Sequence, residues 1–275
     1  MLRKAVLVGF VMIAVGATAA FAGTPVFPAI NLTSLNSTYT GADNVVWNEQ
    51  ITQPTGTGNY NPFLRVQNKD VESGFNTNFG GPFDPVGSDK SPLDDKGGVW
   101  THSLLVGDLQ TRTVGTTDYY VFRCDIGESN NQPDSYLSLD QFKLYTSSDA
   151  GASNVSDLST LPKTLRYDMD GTVNQTVYLD GSLKPGNGTD DLEVLVPTSY
   201  FAGAAATDNL ILYCTFGASG GQFSADDGLG ATADFEEWAA ITGPNSPPPT
   251  APEPATLLLL GGGALGLVGA VRRKK

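Results

Sequence analysis

The sequence predicts an all-β fold, an antiparallel β-sandwich, on three observations. Short runs alternate apolar and polar residues with a period of two, and turn-forming residues separate those runs. Helical periodicity is absent from the central segment, except weakly across Ala233 to Ile241, which suits a closing strand or a short helix. Early strands are expected at Val45–Trp47, Phe63–Val66 and Trp100–Val106. Tyr120, Phe122 and Cys124 then alternate with Tyr119, Val121 and Arg123. In Leu137–Leu144 the apolar phase slips at Asp140-Gln141, the mark of a β-bulge. Leu165, Tyr167 and Met169 share one face, and Asp170-Gly171 supplies a hairpin turn. The returning strand sets Val173, Val177 and Leu179 on one side and closes at Asp180-Gly181. Leu192–Val196 and the set Leu210, Leu212, Cys214, Phe216 complete the pattern. Eight or more short strands with turns between them point to a sandwich.

The chain has 275 residues, with 16 basic and 29 acidic side chains. Between Gly23 and Ala251 there are 10 basic against 28 acidic residues, a net of −18. Such a surface repels phosphate backbones and anionic lipid, which excludes nucleic acid as a partner. One histidine and two cysteines cannot furnish a His-rich metal site, a Cys-ligated zinc or a haem.

Both ends read as export devices. Arg3-Lys4 precede an apolar stretch from Ala5 to Gly16, and Ala20-Phe21-Ala22 fits a small-x-small cleavage site before Gly23. Twelve apolar residues rise about 18 Å as a helix, too little for a hydrocarbon core of about 30 Å. Residues 1–22 are therefore expected to be a signal peptide, and 23–243 one β-sandwich ectodomain. A Pro-rich linker follows at 244–251, and a sorting and anchor segment at 252–275. Ala255–Val271 is uncharged and would rise about 26 Å as a short transmembrane helix. Arg272, Arg273, Lys274 and Lys275 would hold the terminus in the cytoplasm.

Pro252-Glu253-Pro254, then a short apolar helix, then a terminal basic cluster resembles the PEP-CTERM sorting signal of Gram-negative bacteria. The resemblance covers residues 252 to 275 and matches all three parts in order. It implies recognition of Pro252, Glu253 and Pro254 by a membrane-embedded exosortase, a cysteine transpeptidase. It also implies transient residence in the inner membrane, then delivery to the cell surface or extracellular matrix, often in bacteria that make exopolysaccharide. Pro62–Gln67, Thr101–Leu105, Leu137–Asp140 and Phe235–Trp238 are similar to ectodomains that precede such tails, a group with no assigned activity.

The candidate chemistry is sparse. Gly217-Ala218-Ser219-Gly220-Gly221 fits the G-x-S-x-G pattern after a strand. An α/β-hydrolase needs its histidine after the serine, and the one histidine, His102, comes before Ser219. A glycine-rich loop is the better account, and a secreted serine hydrolase using Ser219 is the weakest alternative. Acidic turns at Asp84, Asp89, Asp94, Asp95, Asp168, Asp170, Asp190, Asp191, Asp226 and Asp227 would suit calcium, but the spacing selects no ligand set. No cofactor and no catalytic residue is expected. Trp47, Trp100, Trp238 and paired tyrosines could stack on sugars of an exopolysaccharide, though the strand context of each tryptophan favours core packing. Cys124 and Cys214 share the apolar phases of their strands in an exported chain, and a disulfide between them is the favoured expectation over two buried thiols. The leading reading is a non-enzymatic surface or matrix protein; a polysaccharide-binding module is the alternative.

Overall fold

The computed structural model describes residues 29–49, 61–79, 93–97, 100–131, 134–185, 189–217, 229–232 and 234–243. The expected signal peptide with its Ala20, Ala22 and Gly23 site, the linker and the tail lie outside these. Among the described residues no helix is long and apolar enough to cross a membrane.

Strands are numbered in chain order. The first sheet contains β1 (Ala29–Asn31), β6 (Glu72–Phe75), β7 (Leu104–Leu105), β10 (Tyr136–Ser147), β11 (Thr164–Asp168), β12 (Thr176–Asp180) and β14 (Asn209–Phe216). Its path runs β1-β12-β10-β14-β6, with β11 also on β10 and β7 on β14. The second contains β2 (Thr38–Thr40), β3 (Val46–Asn48), β4 (Pro62–Val66), β8 (Thr111–Val114), β9 (Thr117–Ile126), β13 (Leu192–Pro197) and β16 (Glu236–Ala240). Its path runs β2-β3-β13-β9-β16-β4, with β8 also on β9. A two-stranded ribbon, β5 (Lys69–Asp70) with β15 (Ala231–Thr232), stands apart from both. The β1–β12 pair is parallel, and the other strand pairs are antiparallel.

Each sheet is organised around one long strand. One side of β10 is shared by β12 against Tyr136–Leu139 and by β11 against Lys143–Thr146. One side of β9 is divided in the same way between β8 and β16. The expected bulge is present, since the β10–β14 register shifts between Leu139 and Gln141. That shift lets Leu137 and Leu139 face the same interior as Phe142 and Leu144, and all four are fully buried.

The two sheets pack face to face, as aromatic contacts across the gap show. Phe142 of β10 meets Trp47 of β3 at 5.6 Å, Trp238 of β16 at 5.1 Å and Phe122 of β9 at 6.1 Å between ring centroids. Phe216 of β14 adds a second contact to Trp238 at 6.2 Å. The outer face of the first sheet is covered as well, with Phe75 and Ile211 packed against Ala152 and Leu161 from the β10–β11 connection.

Three expectations need correction. Asp170-Gly171 does not close a hairpin: β11 and β12 lie end to end along β10 and bond to it rather than to each other. The twelve-residue length of β10 is what allows both to dock on one side. Leu165 is 50 % exposed, although Tyr167 and Met169 point inward. The cause is a register shift opposite Leu144/Tyr145, which passes over Arg166 and turns Leu165 to the other face; Val173 is likewise exposed. Trp100–Val106 is a strand only at Leu104–Leu105, because residues before it meet β4 through the Thr101 hydroxyl and the His102 amide instead of a full ladder. Within the stretch Ala233–Ile241, strand β16 occupies Glu236–Ala240.

Phe142→Ala should cost about 3–5 kcal/mol, the range for emptying a large buried aromatic site. Urea unfolding monitored by tryptophan fluorescence measures it, and a loss under about 1 kcal/mol would show that the sheets do not depend on this ring.

Candidate functional site

Alternation in β16 gives its two glutamates opposite fates. Glu236 shares the phase of Trp238 and Ala240 and therefore points into the sandwich, where it is 0 % exposed. Glu237 points to the outer face and pairs with Arg65, whose Nε donates to Oε1 at 2.6 Å. In the first sheet, Glu72 stands opposite Phe216 and shares the phase of Gly74 opposite Cys214, so it too points inward and is 0 % exposed. Glu128, just beyond the end of β9, completes the group.

Glu236 lies against both other carboxyls. Glu72 Oε2 accepts from the Asn68 amide at 2.8 Å, and Glu128 accepts from the Thr232 amide at 3.1 Å and from the Thr232 hydroxyl. Neither oxygen of Glu236, nor Glu72 Oε1, is reached by an N–H or hydroxyl donor among the described residues. Burial drives all three carboxyls above their ordinary range; Glu128 reaches about 7, and Glu236 rises well beyond its usual value. Among the described residues no group of three or more His, Cys, Asp or Glu side chains is arranged to hold a metal ion.

A second set of charges lines the outer face of the second sheet. Arg65 is held between the Trp100 ring at 3.7 Å and the Phe235 ring at 4.1 Å while it pairs with Glu237. Arg112 forks onto Glu193 at 2.7 and 2.8 Å, and Arg123 reaches Asp190 at 3.1 Å. Lys184 pairs with Glu49 at 2.9 Å. Burial pushes Asp190 up to about 6 despite the opposing pull of Arg123. These are paired structural charges on a half-buried face.

The residues singled out in the sequence are dispersed. His102 Nδ1 lies 2.9 Å from the Ser103 carbonyl, a local bond outside any strand. Ser219, Asp84, Asp89, Asp226 and Asp227 lie outside the described residues. Gly217 has φ +82°, and a Cβ there would run into the Asp70 carbonyl, so the first glycine of the G-x-S-x-G match is required by a close backbone approach. Asp168 and Asp170 accept from the amides of Asp170 and Gln175, which is turn chemistry. Asp94 accepts from Asn68 and Ser73, and Asp95 and Asp191 from the amides of Phe75 and Ile126. Trp47 and Trp238 are core residues, and Trp100 is stacked on Arg65.

Cys124 and Cys214 are both fully buried, as the alternation requires, but they are free thiols and not a disulfide. They stand on opposite sheets, Cys124 on β9 and Cys214 on β14. Each sulfur instead points to a backbone carbonyl, Cys124 to Asp125 at 3.7 Å and Cys214 to Gly74 at 3.9 Å.

The buried glutamates were missed in the sequence although a signal existed. Glu72 and Glu236 occupy phases whose next member along the strand is Gly74 or Trp238, and a polar residue in an apolar phase marks an inward-facing group.

The family model for the PEP-CTERM protein-sorting motif matches residues 250–274. The chain ends in a PEP-CTERM sorting motif. That motif is the recognition signal for exosortase, and it marks an exported protein that crosses the membrane on its way to the cell surface. No curated protein and no solved structure matches the chain at a significant level. The motif's Pro252, Glu253, Pro254 and Arg272–Lys275 lie outside the described residues.

Two outcomes follow from this geometry. Arg65→Met should cost about 3–5 kcal/mol, because it strands the buried Glu237 carboxylate, and chemical denaturation against wild type reads it. Both thiols should resist iodoacetamide in the native protein and alkylate together in denaturant. Mass spectrometry under non-reducing conditions that found a bridged pair would overturn the free-thiol assignment.

Proposed function

We propose that the chain is a non-enzymatic component of the cell surface or extracellular matrix, presented as a β-sandwich and handed over by exosortase through its tail. The observation that carries this reading is the PEP-CTERM match at residues 250–274, at the very end of an acidic sandwich chain. Support from the ectodomain is physical. Its net charge of −18 keeps molecules apart from one another, and its outer-face arginines are already engaged by carboxylates. The polysaccharide-binding alternative loses two of its stacking residues, since Trp47 and Trp238 fill the core, and Arg65 lies over the ring of Trp100. The serine-hydrolase alternative rests on Ser219 and gains nothing from His102, whose Nδ1 is engaged locally.

Intact-mass analysis of protein released from the cell surface should show residues 1–22 and 272–275 missing. Replacing Pro252 and Pro254 together by alanine should leave the tail uncut and the protein retained in the inner membrane. Full-length tails on correctly delivered protein, unchanged by the double replacement, would overturn exosortase processing. A fluorophosphonate label on wild type that disappears in Ser219→Ala would overturn the non-enzymatic reading.

A further inference from the structure

Glu236 enters the sandwich from the second sheet and Glu72 from the first, while Glu128 reaches them from the turn after β9. Glu72 and Glu236 are 0 % exposed and Glu128 is 7 % exposed, so water does not solvate their charges. The hydrogen-bond inventory is one-sided. Asn68 and Thr232 satisfy one oxygen of Glu72 and both of Glu128, and among the described residues no N–H or hydroxyl donates to Glu236. Three carboxylates in contact without a donor between them would repel strongly in a low-dielectric interior, and one carboxylic proton removes the conflict. An O–H on Glu236 donates to the neighbouring carboxylate and at the same time reduces the buried charge.

We propose that Glu72, Glu128 and Glu236 form an interior proton clamp, with a carboxylic proton carried on Glu236 joining the two sheets and its loss in alkaline medium loosening that end of the sandwich.

The surroundings support proton retention. Asp94 and Asp95 approach from residues 93–97, and Asp234 approaches from the segment before β16. Lys96 pulls Glu72 toward ionisation, but its effect is smaller than the push from Asp94 and smaller than that of burial. Cys124 of β9 and Cys214 of β14 face the cluster as neutral thiols, because burial raises both. The ribbon β5–β15 brings Thr232 to the cluster, while its Lys69 and Asp70 are exposed.

The direction of the pH effect follows from the proton count. The folded protein binds more protons here than the unfolded chain, whose glutamates titrate near 4.3. Stability from the clamp is therefore complete below that value and is lost as pH rises through the folded values, with Glu128 at about 7. For each proton held only by the folded state, the folded-to-unfolded ratio falls about tenfold per pH unit within that window.

The test is urea unfolding of the full-length protein in mild detergent from about pH 5 to pH 8, comparing wild type with Glu236→Gln. The amide supplies two donors and no titrating proton. The variant's profile should be shallower by about tenfold per pH unit, and the infrared carboxylic C=O band of folded wild type should lose intensity in it. Parallel profiles with an unchanged band would overturn the clamp. So would calcium that stabilises wild type at pH 8 and not the variant, since the same oxygens would then hold a metal in place of a proton. Should Glu236→Gln not fold, Glu128→Gln decides the matter: it gives Glu236 a donor, so a shallower profile supports the clamp and an unchanged one overturns it.

Discussion

Phe142 is the residue on which the two halves of this sandwich converge. It sits in the middle of β10, the longest strand, and touches rings on β3, β9 and β16 of the opposite sheet and Tyr167 on β11 of its own. Its inward direction is set by the bulge at Asp140-Gln141, which keeps Leu139 and Phe142 on one face. Without that extra residue, the second half of β10 would turn its apolar side outward, because a one-residue slip reverses every side chain. The short strands β11 and β12 would then have no common apolar face to join. A local irregularity thus sustains the packing of both sheets.

Strand alternation was legible wherever both members of a phase were apolar. Leu210, Leu212, Cys214 and Phe216 are all buried, and Phe122 and Cys124 are buried with them. The bulge was legible too, because the apolar phase itself slips at Asp140-Gln141. Pairing was not. Asp170-Gly171 has hairpin chemistry, but which strand β12 joins depends on the length of β10 and the free side it offers, neither of which a two-residue turn encodes. Leu165 was misread because the register shift past Arg166 leaves no mark in the apolar pattern; Arg166 Nε bonds the Thr146 hydroxyl across that irregularity.

The sorting motif was readable because it is local: three parts in order within 25 residues, where no tertiary contact is needed to recognise them. The interior acids are the opposite case. Glu72 and Glu236 are 164 positions apart, and their meaning arises only when β6 and β16 face each other across the core. Taken singly, each looks like one more acidic residue in an acidic chain. The thiols are similar: alternation directs Cys124 and Cys214 inward, but it does not encode whether two inward sulfurs meet, and both are free thiols.

An exported chain so rich in carboxylates has two ways to keep them compatible with folding. On the outer face of the second sheet it pairs them, through Arg65, Arg112 and Arg123, and the pairs withstand burial because each guanidinium can donate more than one bond. Inside, no N–H or hydroxyl donor among the described residues reaches Glu236, and pairing gives way to protonation. Both solutions carry the same cost of burial. It outweighs the guanidinium's pull at Glu237 and at Asp190, which is pushed up to about 6, so even the paired acids hold a proton more readily in the folded chain, and Glu236 more readily still. Neighbouring Glu237 and Glu236, which one strand directs to opposite faces, therefore shift stability in the same direction with pH, and Arg65 only tempers the outer one.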